Sequence, residues 1–174
     1  MAILPIIIAP DPRLKAKSAA VAKVDDATRK LMDDMLETMY AAPGIGLAAI
    51  QVGVRKRIIV LDAAREGEPK QPMLLVNPEI VWAADEDQIV EEGCLSFPEQ
   101  FAEVARPAAI RVRYLDYYGD LREIEASGLL AVCIQHEMDH LEGVLFVDHI
   151  SALKRNMILR RLIKAKRQKA TVSA

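Results

Sequence analysis

Apolar side chains that recur every three or four residues predict one helix near the start of the chain and one at its end. The first can be capped by Asp25 or Asp26 and runs to about Met39. The last begins after Ser151, which is a suitable cap, and runs to about Lys169. Between these two helices lies the part of the sequence in which strand patterns dominate.

Four segments in this middle part have the continuous or alternating apolar pattern of β-strands. They are Arg57–Ala63, Met73–Val81, Ile110–Asp116 and Leu121–Ala126. The second is interrupted by Asn77 and Pro78. The spacing of three and four returns over residues 129–141 and predicts another helix. This order favours an α+β fold, in which mostly antiparallel sheets pack around the 129–141 helix and a C-terminal helix follows.

The length of 174 residues favours a single domain over residues 1–174 with a core of its own. No apolar run approaches the roughly 18 residues of a membrane-spanning helix. Residues 1–10 have no basic region and are too short for a signal peptide. The two cysteines, Cys94 and Cys133, form neither a CxxC pair nor a disulfide framework. We therefore expect a cytoplasmic protein with reduced thiols.

The formal net charge of −2 hides an uneven distribution. Residues 1–152 contain 15 basic and 25 acidic residues, whereas the last 22 residues contain eight basic and no acidic ones. The predicted C-terminal helix, at about 151–169, is therefore a basic element on an acidic body. It favours an anionic partner such as nucleic acid or a phosphate-rich surface. A solvated helix face that balances the charge of the body is an equal alternative.

The pentapeptide His136-Glu137-Met138-Asp139-His140 is the strongest chemical signal in the chain. Residues four apart lie on one face of a helix, so the two imidazoles can bind a single metal ion. Glu137 lies beside them, where a carboxylate can handle the proton of a metal-bound water.

The sequence around this pentapeptide supports a helix with the histidines turned inward. Ser127 is a suitable N-cap, neither Pro nor Gly interrupts residues 129–141, and Gly143 can end the helix. One face carries Leu129, Val132, Cys133, His136 and His140. Because most of this face is apolar, we expect the histidines to be buried, and a buried imidazole pair needs a partner such as a metal ion.

A zinc-type catalytic site needs three protein ligands and an open position. The extended pattern HExxHxxGxxH fails here because Phe146 occupies the position of its last histidine. A glutamate from a later helix also fails, because Glu142 and Asp148 are the only acidic residues after His140. His149 follows an apolar run and is more typical of a surface or strand-end histidine.

Two thiols remain as candidates for the third ligand. Cys133 lies on the histidine face, but about 10 Å of helix separates it from the second histidine, so we expect it to pack as a small apolar side chain. Cys94 lies in the segment Glu92–Pro98, where Gly93 allows close approach of the backbone and Pro98 stops a regular strand. A thiolate there can complete a Cys-His-His set, which we favour over a plain buried thiol.

The segment Pro43–Gln51 contains two glycines, then small residues, and ends in an amide. No Lys-Ser or Lys-Thr follows the glycines, so a phosphate-binding loop is not indicated. The segment suits a loop that lies close to a substrate backbone and presents an amide donor. A tight turn between helix and strand is an equal alternative.

Three segments together resemble the peptide deformylase family in residues, order and rough separation. They are Gly44–Gln51 (GIGLAAIQ), Glu92–Ser96 (EGCLS) and Gln135–His140 (QHEMDH). The resemblance covers nearly the whole chain, and the helical C-terminus is similar to that of bacterial members that end in a helix. It implies a metal-dependent hydrolase that removes the formyl group from the N-terminal formyl-methionine of newly synthesised polypeptides and releases formate.

The resemblance also implies the chemistry of the site. The implied metal ligands are Cys94, His136 and His140. They would hold one divalent ion per chain, with Fe²⁺ expected and Zn²⁺, Ni²⁺ or Co²⁺ as possible substitutes. Glu137 would act as general base and acid, with a metal-bound water as the nucleophile. The Gln51 side-chain amide and the Leu95 backbone N–H would stabilise the negative charge that develops on the formyl oxygen.

An apolar pocket for the methionine side chain is implied as well. Its residues would be Val90, Leu129, Val132 and Cys133, with ordinary core packing as the alternative. The backbone of the extended substrate would meet that of Ile45, Gly46 and Gly93. Glu92 could pair with Arg106 and stiffen the Cys94 segment, or both charges could be solvated. Phe101 is a departure from the family pattern, because many bacterial relatives carry an arginine shortly after the CLS segment.

The expected partners are N-formylmethionyl peptides and, through the basic C-terminal helix, the ribosome surface. Neither a membrane nor sequence-specific DNA is an expected partner. Three other functions stay open at this point. They are a zinc endopeptidase, an RNA- or ribosome-binding module with a structural metal, and a deformylase-like enzyme for another N-acyl substrate.

Overall fold

The structure is a computed structural model that describes residues 2–173, with side chains for residues 2–169. Its helices are α1 (Asp26–Ala41), α2 (Gly128–Leu141) and α3 (Ala152–Ser173). Its strands are β1 (Gly46–Ala48), β2 (Ile58–Leu61), β3 (Met73–Ala83), β4 (Asp87–Cys94), β5 (Phe97–Pro107), β6 (Ala109–Leu115) and β7 (Leu121–Ser127). Single 3-10 turns lie at Pro12–Lys15, Ala49–Val52 and Phe146–His149. Within this range no helix combines the length and apolar character that a membrane crossing requires.

The strands form two antiparallel sheets. The larger sheet has the order β1-β2-β3-β6-β7, whereas β4 and β5 form a separate hairpin. All four residues of β2 are buried, because helices cover both faces of the larger sheet. Ile58 packs in an apolar cluster with Met35 of α1, and its neighbour Ile59 packs in another cluster with Ile134 of α2. This arrangement confirms the predicted α+β fold, with antiparallel sheets around the 129–141 helix.

The β4–β5 hairpin packs against α2 and α3 instead of extending the larger sheet. Phe97 of the hairpin shares an apolar cluster with Phe146 and with Ile158 and Leu162 of α3. This packing places Cys94, the last residue of β4, beside α2. The hairpin is therefore the element that brings a distant thiol to the histidine-bearing helix.

The predicted first and last helices are confirmed. The Thr28 N–H donates to Asp25 Oδ1 at 2.9 Å, so Asp25 is the cap of α1. The Lys154 N–H donates to Ser151 Oγ at 3.2 Å at the start of α3. α3 continues past the predicted end at Lys169 to Ser173.

The predicted middle helix is confirmed, with two differences at its N-terminal end. It begins at Gly128, and Ser127 occupies the cap position without a capping hydrogen bond from its side chain. It ends at Leu141, and the predicted terminating Gly143 follows its C-cap Glu142. The Gly143 N–H donates to the His140 carbonyl at 3.2 Å, and the Val144 N–H donates to the Asp139 carbonyl at 2.9 Å. These two bonds satisfy carbonyls that the last helical turn leaves without partners.

The expected interruption at Asn77 and Pro78 is a bulge, not the end of a strand. β3 continues to Ala83, and its pairing with β6 shifts register between Val76 and Glu79. Asn77 has a φ of 50°, and its side-chain amide binds both the N–H and the carbonyl of Val21 at 2.8 Å. The bulge therefore fastens the strand to the segment that leads into α1.

The expectation that Pro98 stops a regular strand is wrong. Pro98 is the second residue of β5, and the hairpin continues to Pro107. The register shifts from the pair Gly93–Phe101 to the pair Cys94–Phe97, so Pro98 lies in a bulge where no ladder hydrogen bond requires its missing N–H. Neither β4 nor β5 was predicted, because charged residues interrupt the alternation of apolar and polar positions that identifies a strand.

Gly143 offers a test of this packing. It has a φ of 73°, and a Cβ there would collide with the Lys15 carbonyl oxygen. Gly67 has a φ of 86° with open space around it, so it is a matched control. We expect both alanine variants to lose about 1–2 kcal/mol from the left-handed backbone. Gly143→Ala should lose about 1–3 kcal/mol more because of the collision.

Chemical denaturation of Gly143→Ala and Gly67→Ala measures both free energies of unfolding. Equal losses would show that the contact with Lys15 adds nothing to the cost of the backbone conformation.

Candidate metal centre and active site

Three side chains that can ligate a metal converge where β4 ends beside α2. The ligand atoms of Cys94, His136 and His140 lie within 4.8 Å of one another. Cys94 Sγ is 3.5 Å from His140 Nε2. Both histidines are buried and Cys94 is half-buried. The helix supplies two ligands from one face, and the hairpin supplies the third, so the three predicted ligands do come together.

The orientation of His136 is fixed from behind. Its Nδ1 lies 2.9 Å from Glu92 Oε1, which leaves Nε2 to face the other two ligands. Glu92 is held in turn by Arg106, whose Nε and Nη2 donate to the carboxylate at 2.6 and 2.9 Å. Burial opposes the charged form, but hydrogen bonds from His136 and Arg106 hold the pKa of Glu92 below its usual value. The predicted pairing of Glu92 with Arg106 is confirmed.

The two histidines have opposite electrostatic surroundings. Burial, together with the charges of His136 and Arg106, holds the pKa of His140 well below its usual value, so this imidazole is neutral as a metal ligand must be. Burial also acts against a proton on His136, but Glu137, Cys94 and Glu92 raise its pKa well above the usual value. A cation held between these groups would satisfy the same negative surroundings. The residues therefore fit a divalent metal ion.

Glu137 is a buried carboxyl group with an unused oxygen. Its Oε1 has no hydrogen-bond partner among the described residues and lies 4.0 Å from His140 Nε2. Burial raises the pKa of Glu137 to about 7. Gly46 faces this carboxylate so closely that a Cβ at position 46 would collide with it. An unpartnered carboxyl group beside the three ligands is the arrangement that proton transfer to or from a reacting molecule needs.

The Gln51 side chain is fixed at both ends. Its Oε1 accepts from the Ala48 N–H at 2.9 Å, and its Nε2 donates to Ser96 Oγ at 3.0 Å and approaches Cys94 Sγ at 3.5 Å. Because Gln51 Oε1 is held by the Ala48 N–H, the NH₂ group of the same side chain must point toward Cys94. The Pro43–Gln51 segment combines features of the two predicted forms. Pro43 and Gly44 lie in the short connection between α1 and β1, and the 3-10 turn after β1 aims the Gln51 amide at the site.

A cavity of about 610 Å³ opens above this centre. The predicted substrate and pocket residues that line it are Ile45, Gly46, Val90, Gly93, Leu129, Val132 and Cys133. Cys94, Leu95, His136 and Glu137 line it as well, whereas Gln51 and His140 do not. Val132 and Cys133 are buried in its wall, and Leu129 stands at the mouth with 44% of its surface exposed. Burial raises the pKa of the Cys133 thiol to about 12, in keeping with an apolar role.

Several contacts around the site escaped the sequence analysis. The Gln135 side chain donates to the Pro107 carbonyl at 3.1 Å and so ties α2 to the end of β5. His149, which was predicted to lie at the surface, does so and binds Asp139 there at 2.8 Å. Phe101 is 61% exposed, and its ring lies over Gly93 at the mouth of the cavity.

Comparison with known proteins agrees with this site. A family model described as polypeptide deformylase matches residues 3–156. The peptide deformylase of Phenylobacterium zucineum is 63% identical over 164 residues, which are 94% of this chain and 97% of that protein. The peptide deformylase of Rhizobium meliloti is 58% identical over 95% of each chain.

Solved structures give the same result. The crystal structure of peptide deformylase from Ehrlichia chaffeensis superimposes with a TM-score of 0.94 at 43% identity, over 97% of this chain and 99% of that one. A crystal structure of the Ehrlichia enzyme in complex with actinonin gives a TM-score of 0.92 at 46% identity, over 96% and 99% of the two chains. This chain therefore belongs to the peptide deformylase family of metalloenzymes, which remove the formyl group from the N-terminus of peptides.

Proposed function

We propose that this enzyme hydrolyses the formyl group of N-terminal formyl-methionine on newly synthesised polypeptides, with a metal ion held by Cys94, His136 and His140. The observation that carries the proposal is the convergence of these three ligand atoms, within 4.8 Å of one another, beside the buried Glu137. The family membership favours this reaction over an endopeptidase or an RNA-binding module with a structural metal.

The proposed ion is Fe²⁺, with Zn²⁺, Ni²⁺ or Co²⁺ as possible substitutes. One thiolate and two imidazoles form a mixed set that suits first-row divalent metals. A divalent ion bound there supplies a water of lowered pKa and a Lewis acid for the formyl oxygen. Because Cys94 is only half-buried, a thiolate there is open to oxidation, and we expect an Fe²⁺ form to be oxygen-sensitive.

Glu137 is the proposed general base and acid. Its unused Oε1 can accept the proton of the attacking water, and the same carboxyl group can then deliver that proton to the leaving amine. Gly46 leaves room for this exchange because it places no side chain against the carboxylate.

Two hydrogen-bond donors are proposed to stabilise the negative charge that develops on the formyl oxygen. Gln51 presents its NH₂ group beside Cys94 because its carbonyl oxygen is held by the Ala48 N–H. Leu95 follows Cys94 directly and contributes its backbone N–H. Because these donors are already oriented, no reorganisation is needed during the reaction, and they can stabilise the transition state effectively.

An extended peptide can be bound between two strand edges. β1 is an edge strand of the larger sheet, and β4 has β5 on only one side. The Ile45 carbonyl accepts from the Asp62 N–H at 2.9 Å, so the next residue, Gly46, turns its backbone groups toward the cavity. We assign backbone contacts to Gly46 and Gly93. The backbone contact expected for Ile45 is replaced by an apolar contact of its exposed side chain, because the Ile45 carbonyl is already bound to Asp62. The methionine side chain would enter the pocket formed by Val90, Leu129, Val132 and Cys133.

The basic helix α3 is proposed to dock on the ribosome, from which formylated chains emerge. Ile158 and Leu162 pack its first half against the hairpin, while its cationic side chains other than the half-buried Arg155 are exposed. Its exposed cationic residues include Arg160, Arg161, Lys164 and Lys166. RNA phosphates would attract such a helix in a salt-dependent manner.

Replacement of the proposed base tests the mechanism. We expect Glu137→Gln to keep its metal but to lower kcat by about 10²–10⁴, because the amide keeps the shape of the side chain and cannot take a proton. Formate release from a formyl-Met peptide measures the rate, with metal content determined on the same sample. Glu142→Gln is the control, because Glu142 pairs with Lys17 and Arg57 away from the site. Near-normal turnover by metal-loaded Glu137→Gln would exclude Glu137 as the base.

Removal of the proposed amide donor tests the stabilisation of charge. We expect Gln51→Ala to lower kcat by about 10²–10³ in the metal-loaded enzyme. The same change leaves the Ala48 N–H without its partner and should cost about 1–3 kcal/mol of stability. Ser96→Ala is the matched control, since it removes a contact of the amide and leaves the amide itself in place. If both variants lost activity equally, Gln51 would have only a structural role.

Neutralisation of α3 tests docking without disturbing its packing. We expect Gln at positions 160, 161, 164 and 166 to weaken binding to ribosomes and to reduce the salt dependence by about one unit of slope per lost contact. Hydrolysis of short formyl-Met peptides should persist. Co-sedimentation over a series of salt concentrations measures this. The control replaces Lys30, Arg65, Arg111 and Arg113 with Gln. Equal binding by the two variants would contradict the proposed role of α3.

A further inference from the structure

A line of hydrogen bonds runs from the protein surface to His136. His149 Nε2 lies 2.8 Å from Asp139 Oδ2, and the same oxygen accepts from Arg106 Nη1 at 2.8 Å. Arg106 donates twice to Glu92, at 2.6 and 2.9 Å, and Glu92 Oε1 lies 2.9 Å from His136 Nδ1. Five side chains from β4, β5, α2 and the Phe146–His149 turn are thus joined in one chain of contacts.

The line passes from solvent to the interior. The side chains of His149 and Asp139 are 36% and 26% exposed, whereas those of Arg106 and Glu92 are 5% and 3% exposed. The inner part is well fixed, because a planar guanidinium that binds a carboxylate through two nitrogens has little freedom. The outer part depends on Asp139, whose short side chain could otherwise turn toward water.

His149 is the group that limits this freedom. Its ring donates to the oxygen of Asp139 that also receives Arg106. Asp139 thereby holds the third nitrogen of the guanidinium, so Arg106 is anchored on two sides. His149 also ends the Phe146–His149 turn, and Phe146 of the same turn stacks on His136 with ring centroids 6.0 Å apart.

We propose that His149 is a positioning residue, which acts through Asp139 and Arg106 to fix the Glu92 carboxylate that orients His136. The inference rests on the proposed ligation of a metal by His136. If His149 is removed, Asp139 can rotate into solvent, Arg106 loses one of its two anchors, and the Glu92–His136 contact loosens. A ligand that is less well oriented releases its metal faster.

The experiment follows metal release from the full-length protein. Wild type and variants are loaded with Co²⁺, and the loss of the Co²⁺ absorption spectrum is timed in excess chelator. Loss of the direct partner of a metal-bound histidine typically costs about 10–100-fold in metal affinity. His149 stands three contacts further out, so we expect His149→Leu to release Co²⁺ about three to ten times faster than wild type. His149→Gln, which can still donate to Asp139, should restore most of the slow release.

A matched control distinguishes an effect of His149 through Asp139 from a general loosening of the Phe146–His149 turn. Lys15 binds Asp148 of the same turn at 2.6 Å, and among the described residues Asp148 makes no hydrogen bond to Asp139, Arg106, Glu92 or His136. We expect Lys15→Met to release Co²⁺ at the wild-type rate. Thermal unfolding of the metal-free proteins shows whether His149→Leu is folded. If Lys15→Met and His149→Leu released metal equally fast, the positioning role would be overturned.

A double-mutant cycle tests the route through Asp139. If His149 acts through this carboxylate, His149→Leu should add nothing to the release rate of an Asp139→Ala variant, which has no side-chain acceptor for His149 or Arg106. Independent, multiplying effects would overturn the proposal, as would unchanged release from His149→Leu alone. A wild type that binds no Co²⁺ would instead contradict the proposed metal ligands, so failure of the proposed function is recognised before the variants are compared.

Discussion

The buried ion pair between Glu92 and Arg106 is the interaction on which the site depends. Two charges in a protein interior are costly unless their hydrogen bonds are satisfied, and removal of one partner from such a pair typically costs about 3–5 kcal/mol. Here the Glu92 carboxylate is hydrogen-bonded to both Arg106 and His136. The ion pair therefore joins β4 to β5, and the bond to His136 joins the hairpin to α2. The same contact keeps Cys94, two residues further along β4, beside the histidines.

The active site lies at a junction of elements that are each stable for other reasons. The larger sheet is covered by α1 on one face and α2 on the other, and β1 is left with a free edge. The hairpin leaves a second free edge on the opposite side of the cavity. Backbone groups at such edges need a partner, and an extended peptide supplies one. The fold therefore brings the proposed metal ligands together and leaves free the two strand edges along which we propose that the substrate chain lies.

The Phe146–His149 turn connects two parts of the molecule that the sequence suggested only separately. It leads directly into the basic helix α3, and it also packs Phe146 against His136. Its Asp148 and His149 are bound to Lys15 and Asp139 respectively. Because the turn is held on both sides, the base of α3 and the wall of the metal site form one continuous packed region.

The sequence by itself determined the elements with strong local periodicity and the identity of the reactive groups. The 129–141 helix, its paired histidines, Glu137, Cys94 and the basic final helix could all be predicted, because each depends on spacing within a few residues or on a motif. The β4–β5 hairpin, the bulges at Asn77 and Pro98, and the bonds from His149 to His136 were decided only by the tertiary structure. In these cases the stabilising partner is distant in the sequence: Phe146 for Phe97 of the hairpin, Val21 for Asn77, Asp139 for His149. No local pattern records such a partner, since strand pairing and buried charges are favourable only after the chain has brought both members together.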